Sequence, residues 1–589
     1  MELLKLEIKN FRGIKEGTIF FNSHTLLIGG NNVGKSTICE AIDLILGPER
    51  LSRSSVLNEN DFYNRQYLDD NKEPIIIEIN AIIASLSTEV LIKFRANHRY
   101  WDTALETLVD IDATPEDTDR EGAVPVLPVT FKGFYDKDDD EFKAETSFLH
   151  PLKDESQPLD SFRRTHKRNF GFLFLRTLRT GSRALSMEKG SLLDVILRLK
   201  EDDKTEMWEK SIKALETLEP PIHSLDQLSV ILDQVENRIN NFIKLGGAEQ
   251  KLGFFVSNLT REKLRSIITF FATSEYNDTL VPFHQLGTGA INTLVFSMLT
   301  FIADLKSQTG GNVIFAMEEP EIALPPHTQR RIIRYVLKDM DQAIFTTHSP
   351  YVIEQFAPEN IVILSKSNDG IISSKPLNLE GVRAHTFKGG IKHKYAEALL
   401  GKGVLLVEGK TEEDMFPALS DVIEQADPEF LGLDIAGITV VEVHGDGQLI
   451  KHAKLFIGFG LDVFAFYDKQ SDSSRKEELE KCTSIQLEID YDSIEKLLVE
   501  EIPISRLKSF LDEIKERSDF PKNHLIDWSP FSDDELKDLT YKVLKARKGY
   551  GYAALLIHQS TPYEIPLSLS NFIQSLIAPY KFVAKKPFQ

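Results

Sequence analysis

Hydrophobic residues in this chain fall into short clusters that predict alternating strands and helices. Near the start, Leu4, Leu6 and Ile8 alternate with charged residues, which is the pattern of a half-buried strand. Later, uninterrupted apolar runs at 313–317 and 404–407 are typical of strands buried on both faces of a parallel sheet. Because such strands recur between helical patterns in both halves of the chain, the sequence predicts an α/β fold.

The remaining hydrophobic patterns predict further strands and a helix-rich segment in the first half of the chain. Residues 75–94 predict two further strands, and residues 102–158 predict strands with long loops. Residues 191–275 are helix-rich, which suits an inserted helical arm or dimerisation element, although a plain helical subdomain explains the same spacing. At 589 residues the chain is too long for one core and should form three or four units.

The clearest chemical motif is TLLIGGNNVGKST at residues 25–37, where an apolar run leads into a glycine-rich turn and then a helix. It fits the phosphate-binding pattern G-x-x-x-x-G-K-[ST], in which backbone N–H groups and a helix N-terminus surround an anion. A chance glycine turn is the alternative. The lysine should reach the β- and γ-phosphates of ATP and the serine should bind Mg²⁺. The predicted nucleotide-binding residues are Gly29, Asn31, Asn32, Gly34, Lys35, Ser36 and Thr37.

The order strand, IKNFRGI, strand, GGNNVGKST resembles the start of ABC-type ATPases that act in chromosome maintenance and DNA repair. The resemblance implies a signature loop at Gly287 and Gly289, which would cover the nucleotide of a partner subunit; a glycine helix cap looks similar. Two buried strands follow. One ends in Glu318, expected on the magnesium side, and Glu319, expected to orient the attacking water. The other leads to His348, expected to sense the γ-phosphate, although a lone histidine is more often structural.

A second α/β pattern begins near residue 399 and places acids at strand ends, as in TOPRIM domains, which this region resembles. Oxygen ligands of this kind suit Mg²⁺ or Mn²⁺, and two such ions can stabilise a phosphodiester displacement. A TOPRIM nuclease usually has a further acid where this chain has Gln470, and the amide predicts a preference for Mn²⁺. The predicted metal ligands are Glu408 and Asp468, followed by Glu412, Asp472, Asp492 and Glu495. Acids that complement helix N-termini are the alternative interpretation.

Residues 170–199, the EEPE segment at 318–321 and a late lysine together resemble the OLD (overcoming lysogenisation defect) nucleases over nearly the whole chain. In the first of these segments, Arg176, Arg179 and Arg183 are grouped near Ser186. The late lysine is Lys548, which would neutralise charge on the scissile phosphate; a solvated basic helix face is the alternative.

The resemblance implies an ABC-type P-loop ATPase with a helical insertion, followed by a Rossmann-like TOPRIM domain. It divides the chain into ATPase residues 1–185, a helical insertion at 186–278, ATPase residues 279–398 and a TOPRIM domain at 399–589. It implies ATP-controlled, metal-dependent nicking or cleavage of DNA, a homodimer or higher oligomer and a role in defence against phage, with a defence-system protein as a further candidate partner. Two alternatives remain, namely a non-nucleolytic ATPase switch with a TOPRIM scaffold and a repair ATPase that bridges DNA ends.

Composition and charge limit these possibilities only in part. The formal net charge of −21 argues against a basic protein that coats nucleic acid, but it leaves room for a local basic groove. With only Cys39 and Cys482, no disulfide framework or thiolate zinc site is predicted. No signal peptide or membrane anchor is visible in the sequence, so a cytoplasmic location without membrane association is expected.

Overall fold

The architecture was analysed in a computed structural model. It describes residues 1–48, 56–109, 122–151, 159–175, 185–187, 191–200, 204–216, 226–239, 260–274, 277–308, 313–322, 324–377, 393–469, 473–525 and 527–580. The sequence prediction that groups Arg176, Arg179 and Arg183 lies outside these ranges, as do Gln470 and Asp472.

The strands form two main sheets. In chain order they are β1 Glu2–Phe11, β2 Ile14–Phe20, β3 His24–Ile28, β4 Ile77–Ala84, β5 Arg99–Asp102, β6 Thr107–Leu108, β7 Ala123–Asp136, β8 Glu141–Phe148, β9 Leu173–Leu175, β10 Phe271–Ser274, β11 Asn277–Pro282, β12 Ile314–Glu318, β13 Gln342–Thr346, β14 Ile361–Lys366, β15 Ile371–Pro376, β16 Gly403–Val407, β17 Ile438–Glu442, β18 Asp462–Tyr467 and β19 Ile485–Glu488.

Helices connect and cover these strands. They are α1 Lys35–Leu46, α2 Thr88–Lys93, α3 Arg164–Lys167, α4 Leu192–Lys200, α5 Lys204–Glu216, α6 Asp226–Ile239, α7 Arg261–Ile267, α8 Thr288–Gln308, α9 Pro326–Asp339, α10 Pro350–Ile353, α11 His393–Ala398, α12 Lys410–Ala426, α13 Leu433–Ala436, α14 Leu449–Gly458, α15 Ser473–Glu480, α16 Ile494–Glu501, α17 Ile504–Ile514, α18 Asp533–Ala546, α19 Tyr552–His558 and α20 Leu567–Ile577.

The N-terminal sheet has 13 strands among the described residues and runs β6-β5-β7-β4-β1-β2-β15-β14-β3-β13-β12-β9, with β8 paired to β7. One part, β14-β3-β13-β12-β9, is parallel, and its central strands are apolar and buried on both faces. Because the carboxyl ends of parallel strands share one edge, this part brings the ends of β3, β12 and β13 together.

The turn between β1 and β2 fixes helix α1 in place. Asn10 and Arg12 have positive φ angles of 55° and 50°, which the tight turn requires. The Arg12 guanidinium binds the carboxylates of Glu40 on α1 and Asp61, the latter at 2.8 Å from Nε. The IKNFRGI motif therefore ties the antiparallel part of the sheet to the helix that follows the phosphate loop.

The C-terminal sheet is entirely parallel, in the order β17-β16-β18-β19. The two faces of this sheet pack into different cores. Val404, Leu406 and Val463 join a core shared with helices of the N-terminal half, whereas Leu405 and Phe464 pack against the C-terminal helices. This continuous core connects the two sheets through α11.

The predicted α/β class is confirmed, and strands lie at the predicted apolar runs 313–317 and 404–407. One prediction was wrong: residues 75–94 hold one strand, β4, followed by helix α2. Ser87 caps that helix by accepting a hydrogen bond from the N–H of Val90, and such a cap outweighs the β propensity of a short apolar run. The division into four segments stays a prediction.

Among the described residues, one segment, Thr288–Leu305 of α8, has the length and hydropathy of a membrane-crossing helix. About one third of this segment is buried, and its Val295, Leu299 and Ile302 side chains pack into the core beneath the N-terminal sheet, where α8 contacts α4 and α9.

Candidate functional site

The phosphate loop connects the end of β3 to the start of α1 through two glycines that no other residue could replace without strain. Gly29 has a φ of +153°, and a Cβ there would lie 2.6 Å from the carbonyl oxygen of Leu364. Gly34 caps α1 in the left-handed conformation, with a φ of 111°. The loop therefore curls tightly enough to present its N–H groups to an anion at the helix N-terminus.

We expect Gly29→Ala to lower the free energy of unfolding by more than about 1 kcal/mol and to weaken ATP binding, because the new Cβ meets backbone. Gly30→Ala is the matched control, since a Cβ at Gly30 has no atom within 4 Å. Thermal unfolding and ATP titration of both variants would check this. Equal losses in the two variants would contradict the assigned role of Gly29.

Lys35 is nearly buried in the loop, where its Nζ donates hydrogen bonds to the carbonyl oxygens of Gly29 at 2.7 Å and Gly30 at 3.2 Å. Burial lowers the pKa of Lys35, while Glu319 and Glu321 act to raise it. The lysine thus lies beside both acids. It also faces a cleft of about 570 Å³ that is lined by Gly13, Asn31, Asn32, Val33, Gly34, Lys35, Ser36, Thr37, Glu319, Thr346, His348 and Lys366.

Strand β12 delivers Glu318 and Glu319 to different surroundings. Glu319 lines the cleft. Its φ of 46° is unusual for a non-glycine residue and turns the chain away from the direction of β12. Glu318 is 7% exposed and lies towards α1, where burial and the nearby Glu318 charge raise the pKa of Cys39. Cys39 is one helical turn after Ser36, so Glu318 faces the side of α1 that carries the predicted magnesium ligand.

The loop that carries His348 is held by groups that sequence reasoning did not assign. Glu321 accepts hydrogen bonds from the Thr347 hydroxyl at 2.8 Å and from the His348 N–H at 2.6 Å. Ser349 Oγ donates to Gln329 at 2.7 Å. Burial lowers the pKa of His348, and the charge of Lys35 lowers it further, which favours the neutral imidazole. Glu321 belongs to the EEPE segment, so its motif was visible in the sequence although its role was not.

Two other predicted nucleotide contacts lie elsewhere. Gly287 precedes α8 and Gly289 lies in its first turn, and Gly287 lines a separate hollow next to the β10–β11 hairpin. Among the described residues, neither glycine lines the cleft at Lys35. The structure also adds Lys366, which lines this cleft and donates to the Asn32 carbonyl oxygen at 2.8 Å.

At the second sheet, the ends of β16 and β18 place two acids side by side. Glu408 follows β16 and Asp468 follows β18, and the backbone N–H of Asp468 donates to Glu408 Oε1 at 3.2 Å. Helix α12 starts immediately after Gly409 and carries Glu412 in its first turn. A Cβ at Gly409 would lie 3.0 Å from Glu412 Oε2, so glycine permits this close approach.

Glu495 and Lys548 complete the acidic cluster from the helical region. Glu495 is 2% exposed and accepts a hydrogen bond from the Thr411 hydroxyl at 3.3 Å, while Lys548 Nζ lies 3.9 Å from its Oε1. Burial raises the pKa of Asp468 to about 7, with Glu408 and Glu412 adding to the effect and Lys548 opposing it. Burial likewise raises the pKa of Glu412 to about 7. The structure thus brings four predicted acids and the predicted lysine to one place.

This donor set fits a divalent cation. Asp468 Oδ1 and Glu412 Oε2 are buried oxygens without a hydrogen-bond partner in the part of the chain that the structure describes. Hard oxygen ligands with unbalanced negative charge are what Mg²⁺ and Mn²⁺ require. Within the same ranges, no three Asp, Glu, His or Cys side chains already stand close enough to hold a metal ion. Binding of one cation by three of these carboxylates would therefore require them to move closer together. Asp492, a further predicted ligand, is exposed two residues before α16.

Two family models match separate parts of the chain. Residues 1–353 match the family model described as an AAA ATPase domain. The chain belongs to this ATPase family. Residues 399–469 match the overcoming lysogenization defect protein-like TOPRIM domain, which confirms the resemblance to OLD proteins. That match contains Glu408, Glu412 and Asp468 and ends before Glu495 and Lys548.

Three curated relatives share most of their length with this AAA-family chain. It is 24% identical to "OLD nuclease" of Thermus scotoductus over 445 residues, 69% of this chain and 71% of the relative. It is 21% identical to "Old nuclease" of Escherichia phage P2 over 494 residues, 78% of this chain and 76% of the relative. It is 19% identical to "Endonuclease GajA" of Bacillus cereus over 467 residues, 76% of this chain and 71% of the relative.

Proposed function

We propose that this protein is a nucleotide-regulated, divalent-metal-dependent DNA endonuclease that nicks or cleaves DNA in bacterial defence against phage. The observation that carries the proposal is the convergence of Glu408, Asp468, Glu412 and Glu495 with Lys548 at one edge of the TOPRIM sheet. The names of the three relatives, all nucleases, support the same activity.

In this proposal Glu408 and Asp468 hold the metal, with Glu412 as a third ligand, and Glu495 positions Lys548. A bound Mg²⁺ or Mn²⁺ would supply Lewis-acid stabilisation of the attacking and leaving oxygens of the phosphodiester. Lys548 is about half exposed, so its ammonium can reach a DNA phosphate and neutralise developing charge. Thr411 keeps Glu495 oriented by donating its hydroxyl hydrogen.

At the ATPase site, Lys35 would bind the phosphates, Ser36 and Glu318 the magnesium ion, Glu319 the attacking water and His348 the γ-phosphate. Gly287 and Gly289 would complete this site from a second copy of the chain, which makes an ATP-dependent homodimer part of the proposal.

Sedimentation of the protein with and without a non-hydrolysable ATP analogue tests the dimer; a monomer in both conditions would exclude it.

Cleavage of supercoiled plasmid tests the proposed activity. The protein is incubated with plasmid and ATP in Mg²⁺, in Mn²⁺ or in excess chelator, and relaxed and linear products are separated on a gel. We expect products with either metal and none with chelator. Products that persist in chelator, or intact plasmid with both metals, would overturn the proposal.

The alternative is an ATPase switch whose TOPRIM domain does not cleave DNA. Gln470 favours this alternative, because an amide brings no negative charge to a metal site. If the site is merely weakened, we expect stronger cleavage in Mn²⁺ than in Mg²⁺, and Gln470→Asp should raise the Mg²⁺-supported rate. Asp472→Ala is the companion variant, since loss of cleavage would identify Asp472 as a substitute ligand. No cleavage by wild type or Gln470→Asp in either metal would support the switch.

A further inference from the structure

Helix α11 links the ATPase switch loop to the TOPRIM domain. His348 lies two residues before α10, and the first turn of α10 is closed by N–H groups of Val352 and Ile353 that donate to the Ser349 carbonyl oxygen. Backbone hydrogen bonds therefore join the histidine loop directly to α10. At the end of α10, Glu354 Oε1 lies 2.6 Å from Nδ1 of His393.

His393 starts α11 and is held on two sides by the ATPase. Besides the contact of its Nδ1 with Glu354, its ring packs on Tyr351 with a centroid distance of 4.7 Å. Two residues later, Tyr395 faces the other domain, where it is 3% exposed and packs edge-on against Phe456 of α14. One short helix thus carries an ATPase contact at its first residue and a TOPRIM contact two residues later.

Tyr395 connects to the loop beside Glu408 through His452. The Tyr395 hydroxyl lies 2.7 Å from Nε2 of His452, whose Nδ1 lies 2.8 Å from the Gln448 carbonyl oxygen. Because a carbonyl oxygen can only accept, Nδ1 carries the hydrogen, and Tyr395 donates to Nε2. Gln448 closes the loop by donating its N–H to the Gly445 carbonyl oxygen, and the Gly445 N–H donates to the carbonyl oxygen of Glu408 at 2.9 Å.

We propose that Tyr395 and His452 are positioning residues that transmit the nucleotide state of the ATPase from the His348 loop to Glu408. The steps are the Glu354–His393 contact, helix α11, the Tyr395–His452–Gln448 hydrogen bonds and the Gly445–Glu408 bond. The consequence of this connection, that ATP sets the geometry of Glu408 as a nuclease metal ligand, rests on the proposed function. The connection itself is a property of the fold.

Hydrogen–deuterium exchange tests the connection without any DNA. We expect exchange in the peptide covering residues 443–449 to change when a non-hydrolysable ATP analogue and Mg²⁺ are added to the wild type. In Tyr395→Phe, which removes one hydroxyl and keeps the ring, this response should fall about five-fold, the worth of one hydrogen bond. Glu354→Gln is a second variant that removes the negative charge of the acceptor contacting His393, and this weaker contact should also reduce the response.

Tyr552→Phe is the matched control, because Tyr552 is 2% exposed and donates one hydrogen bond, to Asp519 at 3.1 Å, away from this connection. It should respond to nucleotide as the wild type does. A full response in Tyr395→Phe and Glu354→Gln, or an equal loss in Tyr552→Phe, would overturn the proposal. The proposed connection and the nuclease assignment can fail separately. A wild-type protein that shows the exchange response but does not cleave DNA would support the connection and contradict only the nuclease assignment.

The same variants give a functional readout if the wild type cuts DNA. The ratio of cleavage rates with and without ATP should approach one in Tyr395→Phe and in Glu354→Gln, while ATP hydrolysis stays within about two-fold of wild type because neither residue touches the cleft at Lys35. The double variant should show no further loss, since both residues act in one series. Additive losses would contradict a single connection.

Discussion

Replacing Lys35 with alanine should reduce ATP hydrolysis by about 100-fold or more and abolish most nucleotide binding. Lys35 is nearly buried with its ammonium against the Gly29 and Gly30 carbonyl oxygens, beside Glu319, Glu321 and the His348 loop. A triphosphate would offer this ammonium an anionic partner in place of two neutral carbonyl oxygens, which adds ion-pair attraction to the hydrogen bonds. The loss of this lysine should therefore weaken binding strongly.

Steady-state ATP hydrolysis and nucleotide titration measure this effect. Lys366→Ala is the matched control, because Lys366 lines the same cleft but is exposed and bonds the Asn32 carbonyl oxygen. It should lose much less activity. Wild-type affinity and turnover in Lys35→Ala would refute the phosphate-site assignment.

The second large effect is expected for Asp468→Ala, which should lower DNA cleavage by at least about 100-fold while ATP hydrolysis continues. Among the described residues, Asp468 combines a buried Oδ1 that has no hydrogen-bond partner with a backbone N–H that donates to Glu408, so in the proposed site its carboxylate is free to bind a cation. Burial raises the pKa of Asp468, and the charges of Glu408 and Glu412 raise it further, so these carboxylates repel one another until a cation neutralises them.

Single-turnover cleavage together with Mn²⁺ titration by calorimetry would measure the loss of activity and the loss of metal binding. The exposed Glu429, in the same domain, gives a control variant, Glu429→Ala, that should bind metal and cleave as the wild type does. If Asp468→Ala keeps wild-type cleavage, the metal site is elsewhere and the TOPRIM assignment of the activity fails.

Much of this arrangement followed from local sequence patterns. Buried parallel strands are continuous apolar runs, and each relevant run ends in an acid or leads to a histidine, so Glu319, His348, Glu408 and Asp468 could be placed from the strands alone. The phosphate loop could be predicted equally well from sequence, because Gly29 and Gly34 have backbone geometry that only glycine tolerates well.

Contacts between distant segments could not be predicted in this way. Glu495 joins the acidic cluster because the first turn of α16 meets the first turn of α12 at Thr411, and a helix N-terminal acid elsewhere would look the same in sequence. Tyr395 and His452 lie on separate helices, and no periodicity links them. Helix α2 was taken for a strand because a short apolar run fits both structures, and the cap at Ser87 decided between them.

Cleavage of DNA by the acidic edge of the TOPRIM sheet is tested most directly with Glu408→Ala. Wild type and variant are compared in Mn²⁺ with supercoiled plasmid, after both have been shown to hydrolyse ATP at similar rates. We expect nicked or linear product from the wild type and intact plasmid from Glu408→Ala. Equal cleavage by the two proteins would show that the acidic edge does not cut DNA.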